Sequence, residues 1–103
     1  MTDELFEVKE TEEYKKWYHG LRDQNAKSII EVRLIRLSLG NFGKSNSVGE
    51  GVRELKIDYG PGYRIYFIQY GGKTYVLLGG GTKKRQDKDI QAAIALARKL
   101  KKL

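Results

Sequence analysis

Chemistry in this chain has to start from Lys, Arg and Tyr. There is no cysteine and one histidine, His19, so thiolate catalysis, a Cys-based zinc site and a disulfide framework are excluded. A hydrolytic triad needs a placed base beside a nucleophile; nothing pairs with His19 by motif, and it reads as a helix-end surface residue. The carboxylates are scattered, and Asp87 and Asp89 suit the first turn of a helix, so no metal site is expected. The glycines match no phosphate loop, and no cofactor is expected. What remains is a basic and phenolic set: Lys56, Arg64, Tyr66 and the run Lys83-Lys84-Arg85.

That set suits one reaction without metal or cofactor, the cleavage of RNA through its own 2′-hydroxyl. The protein must remove the 2′-proton, neutralise charge growing on the phosphorane and protonate the leaving 5′-oxygen. Arg grips phosphate oxygens with a planar fork and stays charged. Lys removes a proton only if neighbouring cations depress its pKa. Arg64, Lys56 and the Lys83–Arg85 run are expected to converge on one phosphate. The competing reading is that Arg64 only pairs with Asp58 across a hairpin, a surface ion pair worth little.

The elements that must position these residues centre on residues 52–67. Two alternating runs flank Gly60-Pro61-Gly62, which predicts a β-hairpin. With Tyr59 facing Tyr63, one face carries Leu55, Ile57, Tyr59, Tyr63, Ile65 and Phe67. The other carries Lys56 opposite Tyr66 and Asp58 opposite Arg64. Gly71-Gly72 predicts a second hairpin turn into a strand over 73–78. With Tyr70 facing Lys73, Tyr75 and Leu77 join the Arg64 face, and Val76 and Leu78 join the core face. Gly79-Gly80-Gly81 ends that strand, either as a sharp exit or as a place where backbone comes close to something.

Ahead of the hairpin, residues 5–10 alternate and predict an edge strand. Thr11 caps a helix in which Tyr14, Trp17, Tyr18 and Leu21 form one buried stripe. Gly20 breaks it. Asp23 caps a second helix over about 24–39, with Ala26, Ile30, Leu34 and Leu37 inward, widened by Ile29 and Leu39, and with Lys27, Arg33 and Arg36 left polar. Residues 41–51 read as a mobile loop. A last helix starts near Gln86 or Asp87, with Ile90, Ala93, Ile94, Ala97 and Leu100 inward. The order is β-α-α-β-β-β-α: an α+β fold, an antiparallel sheet with an N-terminal helical hairpin and a C-terminal helix, in one domain over residues 1–103.

Twenty basic residues against 13 acidic give a net charge of +7. Residues 1–20 hold three Lys and six Asp/Glu, and the other 83 residues carry a net +10. A basic body of this kind favours polyanions, nucleic acid first. With no long apolar run and an acidic start, the chain is expected to be cytoplasmic, without a leader or membrane contact.

Several strings are specific. They are Tyr14-x-x-Trp17, Leu37-x-Leu39-Gly40-Asn41-Phe42-Gly43, residues 48–55 (Val-Gly-Glu-Gly-Val-Arg-Glu-Leu), residues 58–67 (Asp-Tyr-Gly-Pro-Gly-Tyr-Arg-Ile-Tyr-Phe), Leu77-Leu78-Gly79-Gly80-Gly81-Thr82-Lys83 and Gln86-Asp87-x-Asp89-Ile90. With them the chain resembles the RelE/ParE superfamily of bacterial toxin–antitoxin toxins, in the branch of addiction-module killer proteins (Gp49-like, HigB-like), over nearly its whole length. The resemblance implies the same element order and an antitoxin partner from an adjacent gene. It also implies, for ribosome-dependent members, cleavage of mRNA on the ribosome. Motif-matched positions then give Arg64 for phosphate and transition-state charge, Lys56 for base or electrostatic help, and Lys83 and Lys84 for the phosphate backbone. Tyr66 is a candidate acid, and Arg85 and Arg53 are further RNA contacts. Two departures stand out. No Tyr or His follows Tyr75, and Glu54 stands where a basic residue sometimes precedes the Lys56 position by two. The acid is therefore a lysine, Tyr66, the ribosome or absent. The ParE branch, which poisons DNA gyrase without cutting RNA, and a basic binding module without toxicity remain alternative readings.

Overall fold

The structure, a computed structural model, describes residues 5–102. The acidic residues 1–4, on which the leaderless reading leans, lie outside them. The elements run β1 (Glu7–Glu10), α1 (Glu12–His19), α2 (Gln24–Ser38), β2 (Ser45–Gly49), β3 (Val52–Ile57), β4 (Tyr63–Tyr70), β5 (Thr74–Thr82), a 3₁₀ turn (Lys83–Arg85) and α3 (Gln86–Lys101). They form one five-stranded sheet in the order β1-β5-β4-β3-β2. The helices and the β3-β4-β5 meander follow the sequence reading. Two expectations are corrected. The sheet is mixed, because β1 runs parallel to β5. The 41–51 segment is not all loop, because its Ser/Asn-rich part pairs with β3 as an edge strand. That pairing uses backbone groups and leaves Asn46 and Ser47 exposed, so no hydrophobic alternation announces it.

The capping logic holds locally. Thr11 Oγ1 accepts from the Tyr14 N–H at 3.1 Å and donates to the Leu77 carbonyl at 2.8 Å, so one hydroxyl starts α1 and ties it to β5. Asp23 caps α2 through the Ala26 N–H and accepts from the Tyr59 hydroxyl at 3.0 Å with its other oxygen.

That second bond bears on the hairpin register. The last β3–β4 pair is Ile57 with Tyr63, not Tyr59 with Tyr63. Tyr59 leaves the ladder for Asp23, and a tight turn closes with the Gly62 N–H on the Tyr59 carbonyl. The slip is two residues, so each face keeps its residues while every cross-strand partner changes. Lys56 faces Arg64, and Glu54 faces Tyr66. Asp58 pairs with Lys44 at 2.6 Å instead of Arg64.

The third strand is sorted the other way from the expectation. The connection is Gly71–Lys73, with Tyr70 paired to Thr74. That one-residue shift places Tyr75 and Leu77 in the core with Phe67, and puts Leu78 and Val76 on the opposite side with Tyr66. A bulge between Tyr66 and Phe67 in the β4–β5 register, with Leu78 as the extra residue, then resets the pairing.

Both faces of the sheet are covered. On one, α1 and α2 bury Tyr14, Ala26, Ile30 and Leu37 against Leu55, Ile57, Ile65 and Phe67. On the other, α3 lays Ala93, Ile94 and Ala97 over Val52, Tyr66, Ile68 and Leu78. Leu39, expected inward, is 60% exposed at the C-cap of α2. The triple glycine lets both layers close on β5. A Cβ at Gly80 would lie 2.3 Å from the Trp17 ring, and one at Gly81 would lie 1.9 Å from Asp89 Oδ2. Close approach is thus the use of the run, on both sides of one strand.

Candidate functional site: a basic cluster at one end of the sheet

The β3–β4 turn and the exit of β5 meet at Gly62. The Lys83 N–H donates to the Gly62 carbonyl at 2.8 Å. Gly62 has φ +78°, and a Cβ there would lie 3.3 Å from Lys83 Cβ and 3.5 Å from Arg64 Nη1. A side chain would be strained by its backbone and would wedge between the two cations, so glycine is what lets them meet. Lys56 faces Arg64 across the ladder. The sheet therefore brings Lys56, Arg64 and Lys83 together, as the spacing predicts. Lys84 and Arg85 follow on the exposed 3₁₀ turn.

Like charges directly opposite on a ladder destabilise it, and here carboxylates offset them. Lys44 holds the Asp58 carboxyl below its usual range, and Arg64 and Lys56 contribute in the same sense, so Asp58 lies within the field of the cluster. Glu54 is fully buried, and its Oε2 lies 3.9 Å from Arg64 Nε. Gln86, the first residue of α3, donates to the same oxygen at 2.7 Å. Arg64 itself is 6% exposed, and its Nη1 donates to the Tyr63 carbonyl at 3.2 Å. With the Asn46 amide oriented to satisfy both its ends, its oxygen accepts from Lys56 Nζ at 2.7 Å. Edge strand β2 thus holds the lysine head.

Two candidates sit elsewhere. Tyr66, expected as an acid, is fully buried under α3; its hydroxyl completes no well-formed hydrogen bond among the described residues, although the Glu54 carboxylate lies close enough to act on it. Burial, then the charges of Glu54 and Asp89, push its pKa above the ordinary tyrosine value. As placed, it is a packed phenol that holds its proton beneath α3. Arg53, expected to contact RNA, lies one residue out of phase with Lys56, on the opposite face. Its guanidinium sits 4.7 Å from the centre of the Phe42 ring and donates to Ser45 Oγ.

Sequence reasoning missed the supports. Arg33, taken for a polar surface residue, spans from α2 to the sheet. It donates to the carbonyls of Lys56, Phe42 and Lys44, the last two at 3.1 and 3.0 Å. Burial and the nearby Arg36 lower its pKa. Glu54 stood out in the sequence as a departure from the family pattern; its burial depends on α3, which no local pattern reveals. Among the described residues no group of three or more His, Cys, Asp or Glu could hold a metal, and no helix is long and apolar enough to cross a membrane. Lys56 and Lys83 thus flank the nearly buried Arg64 beside an exposed basic turn, a set of cations of the kind that suits phosphate oxygens.

No protein-family model matches the chain. It is similar to an uncharacterized protein of Haemophilus influenzae, 44% identical over 94 residues that cover 91% of this chain and 95% of that one. Among solved structures it is similar to an arginine-to-alanine double mutant of the Escherichia coli toxin RelE in the free state. The TM-score is 0.70 at 12% identity, covering 91% of this chain and 97% of that one. It is also similar to the toxin–antitoxin complex RelBE2 of Mycobacterium tuberculosis, with a TM-score of 0.60 at 17% identity over 77% of this chain and 99% of that one.

Proposed function

This chain belongs to the same family as the Haemophilus influenzae protein and has the fold of the RelE toxins, and from that premise we propose that it is the toxin of a toxin–antitoxin module, of the HigB-like branch. In this reading it acts in the cytoplasm and is held inactive by an antitoxin from a neighbouring gene. Freed, it cuts mRNA on the ribosome as a metal-independent endoribonuclease. The observation that carries the proposal is the juxtaposition of Lys56 opposite Arg64 on the ladder with Lys83 beside Arg64 at Gly62, at one end of the sheet.

The geometry supports the following roles. Arg64, held by the Tyr63 carbonyl and by Glu54, neutralises charge growing on the phosphorane. Lys56, among cations and steadied by Asn46, serves as base or electrostatic partner. Lys83 supports the same phosphate, and Lys84 and Arg85 hold the flanking backbone. Tyr66 supports the strand from beneath, and the leaving oxygen takes its proton from a lysine or from the ribosome. The burial of Tyr66 also favours a second reading, a ParE-like gyrase inhibitor that cuts nothing.

Primer extension on cellular mRNA shortly after induction tests the proposal. New ends within translated codons are expected for the wild type and for neither Lys56→Ala nor Arg64→Lys, a change that keeps the charge but loses the fork. Growth arrest with intact transcripts and DNA-damage signalling would favour the gyrase reading. Wild-type cleavage undiminished in both variants would refute the assigned roles.

A further inference from the structure

Among the described residues the exposed large apolar side chains are Leu5, Val32, Ile35, Leu39 and Tyr70, and four of these five gather in one place. Val32 and Ile35 lie on α2, and Leu39 is its C-cap. Leu5 sits beside that end, where the Phe6 N–H donates to the Ser38 carbonyl at 2.8 Å. The inner face of α2 is already buried through Ala26, Ile30 and Leu37. A helix apolar on both faces is normally covered on both.

The outer residues Ser28, Val32, Ile35 and Leu39 recur at steps of four, three and four, the d-a-d-a spacing of a coiled-coil seam. With Val32 at a, Glu31 falls at g and Arg36 at e. In a parallel two-stranded pair the g residue of one helix meets the e residue five positions on in the other. Glu31 and Arg36 are five apart, of opposite sign and both exposed. The flanks of the seam are therefore complementary to themselves. On its own molecule Glu31 lies close enough to Tyr18 to raise the pKa of its phenol. A notch of about 290 Å³ bordered by Ser28, Ile29, Val32, Arg33 and Arg36 lies along the same line, and a knob from a facing helix would fill it.

We propose that α2 pairs in parallel with α2 of a second copy of this chain, about a two-fold axis along the seam. The buried inner face leaves one narrow stripe, which limits the assembly to two strands. The seam spans roughly 17 Å at about 1.5 Å per residue, a short contact of the kind that makes a weak dimer. The proposal does not depend on the ribonuclease reading, because none of Lys56, Arg64 and Lys83 lies on α2.

The absence of cysteine makes the test clean. Val32→Cys under mild oxidation is expected to cross-link to itself, because like positions face each other in a parallel pair. In an antiparallel pair it would link only to a different position, such as Ile35→Cys in a mixture. Sedimentation velocity should show a concentration-dependent dimer. Ile35→Glu, a surface change checked for folding by circular dichroism, should raise the dissociation constant about a hundredfold or more. Glu31→Arg and Arg36→Glu should each weaken the dimer several-fold, and the double swap should restore it. A chain that stays monomeric at several hundred micromolar, a dimer indifferent to Ile35→Glu, or cross-links only between unlike positions would overturn the proposal.

Discussion

Replacing Tyr66 by Phe separates a packing residue from a chemical one. The ring is fully buried beneath α3, and its hydroxyl completes no well-formed hydrogen bond among the described residues. Burying an unsatisfied hydroxyl costs about 1–3 kcal/mol, while the ring packing is common to both side chains. Tyr66→Phe should therefore stabilise the fold by about 1 kcal/mol or more, which for a domain of this size raises Tm by roughly 4–8 °C per kcal/mol. The pH dependence has a definite sign. The folded-state pKa of Tyr66 is raised, chiefly by burial and then by Glu54, so its stabilising effect is complete below the unfolded value near about 10 and is lost as pH rises towards the folded one. Tyr66→Phe should lessen the drop in Tm above that pH. Differential scanning calorimetry from pH 7 to 11 measures both effects. Destabilisation of about 1 kcal/mol or more would mean that the hydroxyl makes a bond to Glu54 in solution. A stable fold with RNA cleavage abolished would mean that the phenol reaches the substrate. Either result would refute the placement argued here.

Other substitutions test the supports. Glu54→Leu strands the Arg64 charge in a buried site and should cost about 3–5 kcal/mol; adding Arg64→Met should recover most of that in urea titrations. Gly80→Ala meets the Trp17 ring at 2.3 Å and should lose about 1–3 kcal/mol. Gly79→Ala meets nothing within 4 Å and should melt at or above the wild-type temperature. Arg33→Met removes the donor shared by three carbonyls and should speed amide hydrogen exchange across residues 42–46 more than across α2; equal protection in both variants would show that the staple does not hold the segment.

Helix limits were legible because Thr11, Asp23, Gly20 and Gly40 state them in local chemistry. The face sorting of β3 and β4 survived a wrong register because the error was two residues, which conserves strand parity. The third strand did not survive, because its error was one residue, set by whether Lys73 belongs to the turn. Strand β2 was invisible, since an edge pairing made by backbone bonds and a few polar side chains needs no apolar alternation. That Lys56, Arg64 and Lys83 gather at one end of the sheet was readable from type and spacing. The burial of Glu54 and Tyr66 was not legible for a common reason: both lie under α3, an element distant in sequence that turns an apparently polar face into a second core.

The parallel seating of β1 on β5 sets the order in which the molecule can be completed. Glu7 pairs with Thr74, so the first strand has no lane until most of the chain has emerged during synthesis. Pairing over so long a separation is slow to form and raises contact order. Until β5 is in place the outer edge of β4 stays open, an unpaired ladder of the kind that recruits other chains. Nascent or truncated chains ending before β5 are thus the aggregation-prone species, and α3, the last element made, closes the second core only after that risk has passed.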